Sequence, residues 1–422
     1  MLAISLPFDP ANPGEAVALL PKGCAVFALF GADPGAEPYI SRTPNLQRRL
    51  QLLLRPVQAQ SRRLQLAQKI VRIEYTVTGS DFESLLLLYS ASRTAFKERA
   101  SKRLHLRAPA LLRMTMSNPY PRVYVTNKVT KAALAEFFGP FPSRVAAEKF
   151  LDEMLNLFLL RRCHEELRPD PTFPGCVYSE MKMCLAPCFK GCTDERYAEE
   201  ARAVHSFLLT RGGSMEATLA VERAAASEAL EFEEAARLHA RLAKVQEVMS
   251  LAGPAVHALS QLSGILIQPA AEAENVALFL LSRGHLSGPA FYSVAGMRHA
   301  NEQSGSSSLF AHPATVEAVP LEGAPQLASR DALEQRLKDA LKALQNIDES
   351  TKYGTAELAD HLCLLSRWFR RQQTRRIGEM IFFEERGEVP FRKIQRAISR
   401  VYLADKGSAS PVDATGEALL NK

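Results

Sequence analysis

Five of the seven cysteines lie within thirty residues, and their thiols could do chemistry together. The first four are separated by twelve, seven and three residues, in the order Cys163, Cys176, Cys184 and Cys188, and Cys192 follows. Thiols grouped in this way bind a metal centre or form disulfides. The N-terminus lacks the basic start of a secretory signal, so we expect a reducing, cytoplasmic location, which disfavours disulfides. Four thiolates then predict zinc or an iron–sulfur cluster, and cysteines packed as small apolar side chains are the alternative.

Three basic stretches are the second chemical signal. Residues 38–73 contain eight Arg or Lys and no acid, and residues 93–113 contain Glu98 as their only acid. The third stretch, "RWFRRQQTRR", covers residues 367–376, and the whole chain has a net charge of +6. Such stretches concentrate phosphate groups and make binding salt-dependent, so they predict contact with nucleic acid. The alternative is a solvated helix face, which normally mixes both signs of charge.

Other classes of function have no support in the sequence. No apolar run reaches the roughly 18 residues that a membrane-spanning helix requires, so we expect a soluble protein without a membrane partner. The nine histidines show no ligand spacing. There is also no glycine-rich loop of the kind that holds phosphates, so we predict no ATP site.

The elements that must position these groups follow from hydrophobic periodicity. After a loose lead-in over residues 1–20, short strands and helices up to Lys97 predict a small α/β unit. "FFGPFPS" predicts a turn, and the helix after it is expected to end at Cys163. Residues 215–249 predict an antiparallel helical hairpin interrupted at "LEFEEAA". The sequence becomes strand-like from Ser263 and helical again from Arg330. We expect the Ser/Gly-rich loop at residues 301–308 to be mobile and the polar tail beyond Ala404 to be disordered.

We therefore predict a multi-domain protein of the α/β (α+β) class, in which a composition of 47% hydrophobic residues is sufficient for real cores. The predicted segments are an α/β domain (1–110), connecting strands, a helix and the cysteine-rich module (111–195), helices including the hairpin (196–253), a β-rich domain (258–345), and a basic helical C-terminus with a disordered tail (346–422).

The order of these segments resembles the UvrC family, the C subunit of the bacterial UvrABC excision nuclease, over roughly residues 20–300. "LPKGCAVFALF" and "PYISRTPNLQRRL" are similar to the opening of a GIY-YIG nuclease domain. "FFGPFPS", "CLAPC", "SEALEFEEAARLHARL" and "VALFLLSRGHLSG" then follow in the family's order, and the third of these resembles the UVR motif. The resemblance implies a DNA-repair protein of nucleotide excision repair.

The resemblance also implies a catalytic set, from which this chain departs. Tyr39 would act as base or orient water, Arg49 and Arg42 would neutralise phosphate, and Glu83 is the one carboxylate near the expected metal position. An active site would use Mg²⁺ or Mn²⁺. The first tyrosine of the motif is replaced by Phe27, which has no hydroxyl, and the metal-binding glutamate is replaced by Leu88, which cannot ligate a hard cation. We therefore expect a site that binds a phosphate backbone without cutting it by the usual route.

For the cysteines, the resemblance implies a 4Fe-4S cluster held by Cys163, Cys176, Cys184 and Cys188. Zinc remains the alternative, although zinc sites usually have two short Cys-x-x-Cys units and only Cys184 and Cys188 form a short pair here. Cys192 could replace any member of the set.

The hairpin implies docking of a UvrB-type partner. The side chains expected at that interface are small or apolar, and they are Leu230, Phe232, Ala235, Ala236 and Leu238. Their alternative role is packing within this protein. The usual family member continues into an RNase H-like nuclease and helix-hairpin-helix motifs, and no set of carboxylates that could serve such a nuclease is expected after residue 300.

The basic segment 367–376 places Trp368 and Phe369 among arginines, which suits base stacking with phosphate contact. An amphipathic helix with the tryptophan inside is at least as well supported. Three hypotheses therefore follow from the sequence: a UvrC-like nuclease subunit that binds DNA, a non-catalytic DNA-binding scaffold that kept the fold, and an RNA-binding protein.

Overall fold

The computed structural model describes residues 2–33, 35–55, 66–297, 329–350, 354–372, 376–383 and 389–408. Within these residues the chain builds three four-stranded sheets, each from neighbouring strands that pair antiparallel. The mixed helices and antiparallel sheets confirm the predicted fold class. Among the described helices, none combines the length and the apolar character needed to cross a bilayer.

The N-terminal unit has the sheet order β1-β4-β2-β3. Its elements are β1 (Ile4–Pro7), α1 (Pro13–Ala18), β2 (Ala25–Gly31), β3 (Tyr39–Thr43), α2 (Leu46–Leu53), α3 (Leu66–Lys69), β4 (Ile70–Val77), α4 (Asp81–Phe96) and α5 (Arg99–Arg103). Strand β2 is apolar along most of its length because both of its faces are covered. Phe27 and Leu29 pack toward Leu50 of α2, and α4 lies against the other face. The first residues, expected as a lead-in, supply edge strand β1, which pairs with β4.

The middle unit has the sheet order β6-β5-β7-β8, packed against four long helices. Its elements are β5 (Ala110–Met114), β6 (Val123–Thr126), β7 (Phe137–Phe141), α6 (Arg144–Leu155), α7 (Val177–Glu180), α8 (Asp194–Leu209), α9 (Gly213–Glu228), α10 (Phe232–Ala252) and β8 (His257–Ala258). Two short 3-10 turns cover Lys131–Glu136 and Pro187–Phe189. The antiparallel hairpin predicted over 215–249 is present as α9 and α10.

Two expectations about the middle unit are wrong. "FFGPFPS" is mainly strand β7 and not a turn, because Phe137, Phe138 and Phe141 are buried in the sheet core. The helix that follows it ends at Leu155, so it does not carry Cys163. Instead, irregular backbone leads to the cysteine, which leaves room for the loop to fold around the thiols.

The C-terminal unit has the sheet order β11-β10-β9-β12 with helices on both faces. Its elements are β9 (Gly264–Pro269), β10 (Asn275–Ser282), β11 (His285–Ser293), α11 (Arg330–Ser350), α12 (Thr355–Phe369), β12 (Glu379–Phe382) and α13 (Phe391–Ser408). In β9, Leu266 faces α12 while Ile265 and Ile267 face α11 and α13. Strands covered on both faces are apolar at successive positions and do not alternate.

The sheet of the C-terminal unit joins two predicted segments, since β12 from the segment 346–422 pairs with β9. Helix α13 extends to Ser408, beyond Ala404 where a disordered tail was predicted to begin, and the remainder of that tail lies outside the described residues. The Ser/Gly-rich loop predicted to be mobile, residues 301–308, also lies outside them.

Helix α4 joins the N-terminal unit to the C-terminal unit. Phe82, Leu86 and Tyr89 belong to the same buried cluster as Phe279 of β10 and Leu362 of α12. The turn before α4 is equally close to the C-terminal unit. A Cβ on Gly79 would lie 2.2 Å from the backbone carbonyl carbon of Ala270, so only glycine permits this approach.

Candidate functional site

The cysteine module, Cys163 to Cys192, is a loop held by backbone hydrogen bonds. The Leu185 N–H donates to the Leu159 carbonyl at 3.0 Å, and the Asp170 N–H donates to the Cys188 carbonyl at 2.8 Å. Ala186 adopts a left-handed backbone conformation with φ of 56°, which turns the chain sharply between Cys184 and Cys188. These bonds bring cysteines distant in sequence into one region.

The four predicted cysteines are close enough to influence one another. The pKa of the Cys184 thiol is raised to about 11, mainly by burial and to a smaller extent by its proximity to Cys163, Cys188 and Cys176. The Ala186 N–H donates to Cys184 Sγ at 3.3 Å and opposes this increase. Burial also raises the pKa of Cys188, with Cys176 as the next cause. All four thiols are free and partly exposed.

Cys192 is at the edge of this group. The pKa of its thiol is raised by burial and then by Asp194, and Cys188 also acts on it. It is absent from the groups that act on Cys184. Within the described part of the chain, no three Cys, His, Asp or Glu side chains are arranged to hold a single metal ion. The thiols therefore converge without forming a finished one-ion site.

Arg161 is a buried cation beside these thiols, and sequence reasoning missed it. Its side chain is 2% exposed. Its Nε donates to the Tyr120 carbonyl at 3.0 Å, and its Nη1 donates to the Glu165 carbonyl at 2.9 Å and lies 3.6 Å from Cys163 Sγ. Among the described residues, these contacts are two carbonyls and one sulfur, and none is a carboxylate. A buried charge without a counter-ion is costly, so the surroundings of Arg161 favour anionic sulfur.

The donor set therefore fits a thiolate-bound metal centre in its chemistry. It contains four thiols from one loop, an N–H that donates to sulfur and a buried positive charge. The signal in the sequence for Arg161 was the apolar run "LNLFLL" ending directly in an arginine two residues before a cysteine, since an arginine that follows buried residues often has a specific partner.

The predicted nuclease residues divide between the two faces of the N-terminal sheet. Residues of a strand alternate between faces, so Tyr39 and Arg42, three positions apart in β3, point to opposite sides. The Tyr39 ring lies 6.1 Å from the ring of Phe27, on the face covered by α2. Arg49 is exposed on α2. This face thus holds Tyr39, Phe27 and the helix of Arg49.

Arg42 faces α4 on the other side, where it pairs with Asp81, the first residue of that helix. Glu83 is 3% exposed and closes the start of the same helix. Its Oε2 accepts from the Gly79 N–H at 2.8 Å, while the Ser80 hydroxyl accepts from the Glu83 N–H at 3.0 Å. Burial raises the pKa of Glu83 to about 6, and the hydrogen bonds from Gly79 and Ser80 oppose this. The carboxylate is used for helix capping.

Leu88, at the position where the resemblance implies a metal-binding glutamate, is 8% exposed. Residues on either side of it in α4 pack under the C-terminal unit. Tyr89 donates its hydroxyl to Asp360 Oδ2 at 3.1 Å and contacts the ring of His361 at 5.3 Å between centroids. The helix that would carry the metal ligand is therefore a packing helix in this chain.

The residues predicted for partner docking are divided between surface and core. Leu230 is 70% exposed and Phe232 is 68% exposed, at the tip of the hairpin formed by α9 and α10. Ala236 is exposed and Ala235 is half-buried. Leu238 is buried and packs in the core of the middle unit. The tip thus presents two large apolar side chains to solvent, while Leu238 packs within this protein.

The third basic stretch contributes its tryptophan to the core. Trp368 is 5% exposed, its indole N–H donates to the Ile377 carbonyl at 3.3 Å, and the Arg376 guanidinium lies 4.9 Å from its ring centre. The structure therefore has the amphipathic helix with the tryptophan inside, and Arg370 and Arg371 of this stretch are exposed just after α12. One of them, Arg371, pairs with Asp81 of the N-terminal unit.

Two comparisons with known proteins agree on what this chain is similar to. Residues 110–207 match the family described as the UvrC/Cho excinuclease, middle domain. The chain is similar to UvrABC system protein C of Proteus mirabilis, with 33% identity over 233 residues, covering 53% of this chain and 36% of the relative. The same protein of Alcanivorax borkumensis is 31% identical over 223 residues, covering 53% and 36%.

The same protein of Ectopseudomonas mendocina is 30% identical over 240 residues, covering 54% of this chain and 37% of the relative. The chain thus spans a little over a third of the length of the curated relatives it matches. No solved structure matches. The predicted resemblance is confirmed: this chain is UvrC-like.

Proposed function

We propose that this UvrC-like chain is a DNA-binding protein of nucleotide excision repair that docks a UvrB-type partner and does not itself cut DNA. The observation that carries the proposal is the state of helix α4. Leu88 is buried at the expected metal position, and the nearby carboxylate of Glu83 is used in the helix cap. A metal-dependent nuclease needs at least one oxygen ligand that faces its substrate.

The proposal of DNA binding is supported by the distribution of charge. Arg48 and Arg49 are exposed on α2, and Arg370 is exposed after α12. Exposed guanidinium groups near a surface without compensating acids favour a polyanion and make its binding depend on salt. The middle-domain family that residues 110–207 match is described as an excinuclease, and for this reason we propose DNA and not RNA as the polyanion.

The proposal of partner docking is supported by the hairpin tip. Exposed large apolar side chains mark interaction sites when they lie together, and Leu230 and Phe232 are neighbours at one tip. The turn that connects them places Leu230 in a left-handed conformation with φ of 61°, which holds its side chain away from the hairpin. The partner proposed is a UvrB-type protein that brings a similar helical hairpin.

We also propose that the cysteine module holds a 4Fe-4S cluster, with zinc as the alternative. Cys163, Cys176, Cys184 and Cys188 would be its ligands, and Arg161 would balance its negative charge from the buried side. When bound, such a centre cross-links the loop and contributes folding free energy. The protein residues hold the loop in place through the Leu185 and Asp170 backbone bonds.

A cleavage assay tests the central proposal. The full chain is incubated with Mg²⁺ or Mn²⁺, a UvrB-type protein and a duplex that carries a lesion, and both binding and strand incision are measured. We expect salt-dependent binding without incision. Incision that Arg49→Ala abolishes would overturn the proposal and establish the second candidate, an active nuclease using Tyr39, Arg49, Arg42 and Glu83. Preference for RNA over DNA at equal salt would establish an RNA-binding protein instead.

A further inference from the structure

Two arginines from different units meet on one carboxylate. Arg42 of β3 pairs with Asp81 Oδ1, and Arg371, which follows α12, pairs with Asp81 Oδ2. We call Arg42 and Arg371 the arginine pair. They are separated by more than three hundred residues in the sequence, and they belong to two different basic stretches. The structure thus converts two separate sequence signals into one cationic site.

The carboxylate lies between the two guanidinium groups as an anionic ligand would. Each guanidinium contacts a different oxygen of the same carboxyl group. Carboxylate and phosphate accept guanidinium groups in the same two-oxygen manner, so a site built for one also suits the other. Asp81 is also the first residue of the 16-residue helix α4, and the start of a helix favours negative charge.

This ion-pair site is open to solvent and weakly held. The exposed fractions of the side chains are 36% for Arg42, 39% for Asp81 and 45% for Arg371. Ion pairs of this exposure contribute roughly 0–1 kcal/mol each, so another anion can displace the carboxylate at small cost. Water and ions can therefore reach all three groups.

Further cationic side chains lie near Arg371. Arg370 is exposed beside Arg371, and Arg367 donates to the His105 carbonyl at 2.7 Å, which brings the second basic stretch alongside the third. On its own strand, Arg42 belongs to a stretch without an acid from residue 38 to residue 73. The other carboxylate at the start of α4, that of Glu83, is buried in the cap and does not compete.

We propose that the arginine pair is a binding site for a nucleic-acid phosphodiester, which Asp81 occupies in the free protein and the phosphate takes over on binding. The site deepens the DNA-binding function proposed above and rests on it. It spans the N-terminal and C-terminal units, so a bound backbone would run across their junction. The occupant is a phosphate of a polynucleotide, because the flanking arginines offer further contacts to successive phosphates.

The test compares Asp81→Asn with the wild-type full chain. Affinity for a fluorescein-labelled DNA duplex is measured by anisotropy over a range of salt concentrations, with the matching RNA duplex as a second arm. We expect Asp81→Asn to bind about 5- to 10-fold more tightly at low salt, because the phosphate no longer has to displace a carboxylate. The slope of log K against log salt should stay the same, because both proteins make the same phosphate contacts. Arg371→Ala is expected to weaken binding and to flatten the slope by about 1.

The matched control is an ordinary ion pair in the C-terminal unit, the unit that also contains Arg371. Arg400 pairs with Glu379 through two hydrogen bonds of 3.0 and 2.6 Å. Glu379→Gln changes the net charge by the same amount as Asp81→Asn but releases no second arginine. We expect Glu379→Gln and Arg400→Ala to leave the salt slope unchanged. Thermal melts of all variants establish that each remains folded.

The outcomes separate this site from the wider function. If the wild type binds DNA and Asp81→Asn matches Glu379→Gln in affinity, the arginine pair is not a phosphate site, although DNA binding stands. If no variant binds either duplex, the increase in melting temperature caused by inorganic tripolyphosphate tests whether the arginine pair binds an anion at all. Greater stabilisation of Asp81→Asn than of the wild type would support an anion site at the arginine pair but overturn a polynucleotide as its ligand. Equal stabilisation would overturn both the site and the ligand. A tighter complex with the RNA arm alone would retain the site and overturn the choice of DNA.

Discussion

The cysteine module brings its polar groups together, whereas the N-terminal sheet places them on opposite faces. In the module, four thiols from a single loop converge, and a buried arginine lies beside them with carbonyls and sulfur as its contacts. In the sheet, the residues implied for catalysis point to opposite faces, and helix α4 packs under another unit. The resemblance to UvrC covers both regions, yet only the module keeps its full set of implied ligands.

The difference shows that the way a site is built affects whether its residues are retained as a set. A ligand set carried by one loop depends on a few local turns, so the loop can retain it as a unit. A site assembled from a strand, two helices and a metal ligand depends on every element presenting the correct face. In this chain the faces of α4 are taken by packing with Phe279 and Leu362, and by the cap at Glu83.

The largest expected effect would break the module. Cys184→Ser should abolish bound metal, measured as iron, sulfide and zinc content in an anaerobic preparation, and should unfold the module at lower temperature. Structural metal centres contribute on the order of 10 kcal/mol to folding, and loss of one of four ligands removes most of it. Cys24→Ser is the control, since Cys24 is exposed and lies in another unit. Full metal content in Cys184→Ser would show that Cys184 is not a ligand.

The second effect tests the buried cation. Arg161→Gln should lower metal affinity by about 10- to 100-fold, as loss of groups around a metal's ligands commonly does. Arg162→Gln is the matched control, because the side chain of Arg162 donates to Asn156 Oδ1 at 2.9 Å on the adjacent surface. Metal affinity is measured by competition with a chelator. Equal affinities for the two variants would remove the charge-balancing role from Arg161.

The third effect tests the N-terminal sheet and its helix α4. Leu88→Glu places a carboxylate where 8% of the side chain is exposed, and we expect a loss of about 2–4 kcal/mol in unfolding free energy. Leu88→Gln has the same shape without the charge and should lose less. Neither variant should cut DNA with Mg²⁺ or Mn²⁺. Restored cleavage in Leu88→Glu would mean that the N-terminal sheet is a nuclease lacking a single ligand.

The smallest effect concerns His361 of α12, which packs against Tyr89 of α4. Burial, and next the charge of His285, lowers the pKa of His361 from 6.5 to about 3, and its Nδ1 accepts from the Leu286 N–H at 3.0 Å. Below about pH 6.5 the unfolded chain takes up a proton that the folded chain refuses until about pH 3. Stability should therefore fall as pH falls through this window, by about 1 kcal/mol between about pH 7 and about pH 5.5.

His361→Asn keeps an acceptor for the Leu286 N–H but does not titrate. Its unfolding free energy, measured in urea at both pH values, should lack this contribution of His361 to the decrease. An identical decrease in the wild type and His361→Asn would mean that the imidazole is accessible to protons in the folded state, and that α12 does not seal this junction.

Part of the candidate site was available in the sequence and was not used. Tyr39 and Arg42 are three positions apart, and if both lie in one strand, the two-residue period of that strand separates their faces. The capping role of Glu83 could also be predicted from the sequence, because Ser80 precedes it by three residues at the start of a predicted helix. The strand β7 was harder to predict, since "FFGPFPS" contains glycine and prolines that usually indicate a turn.

The sequence by itself determined the local features: the cysteine spacing, the helical hairpin, and the replacements at Phe27 and Leu88. These depend on residue types and short-range periodicity, which are properties of neighbouring residues. Tertiary structure alone decided that Trp368 is buried, that Arg161 lies against Cys163, and that Arg371 reaches Asp81. Burial and ion pairing between distant segments depend on which surfaces pack together, and a linear pattern of charge carries no record of that packing.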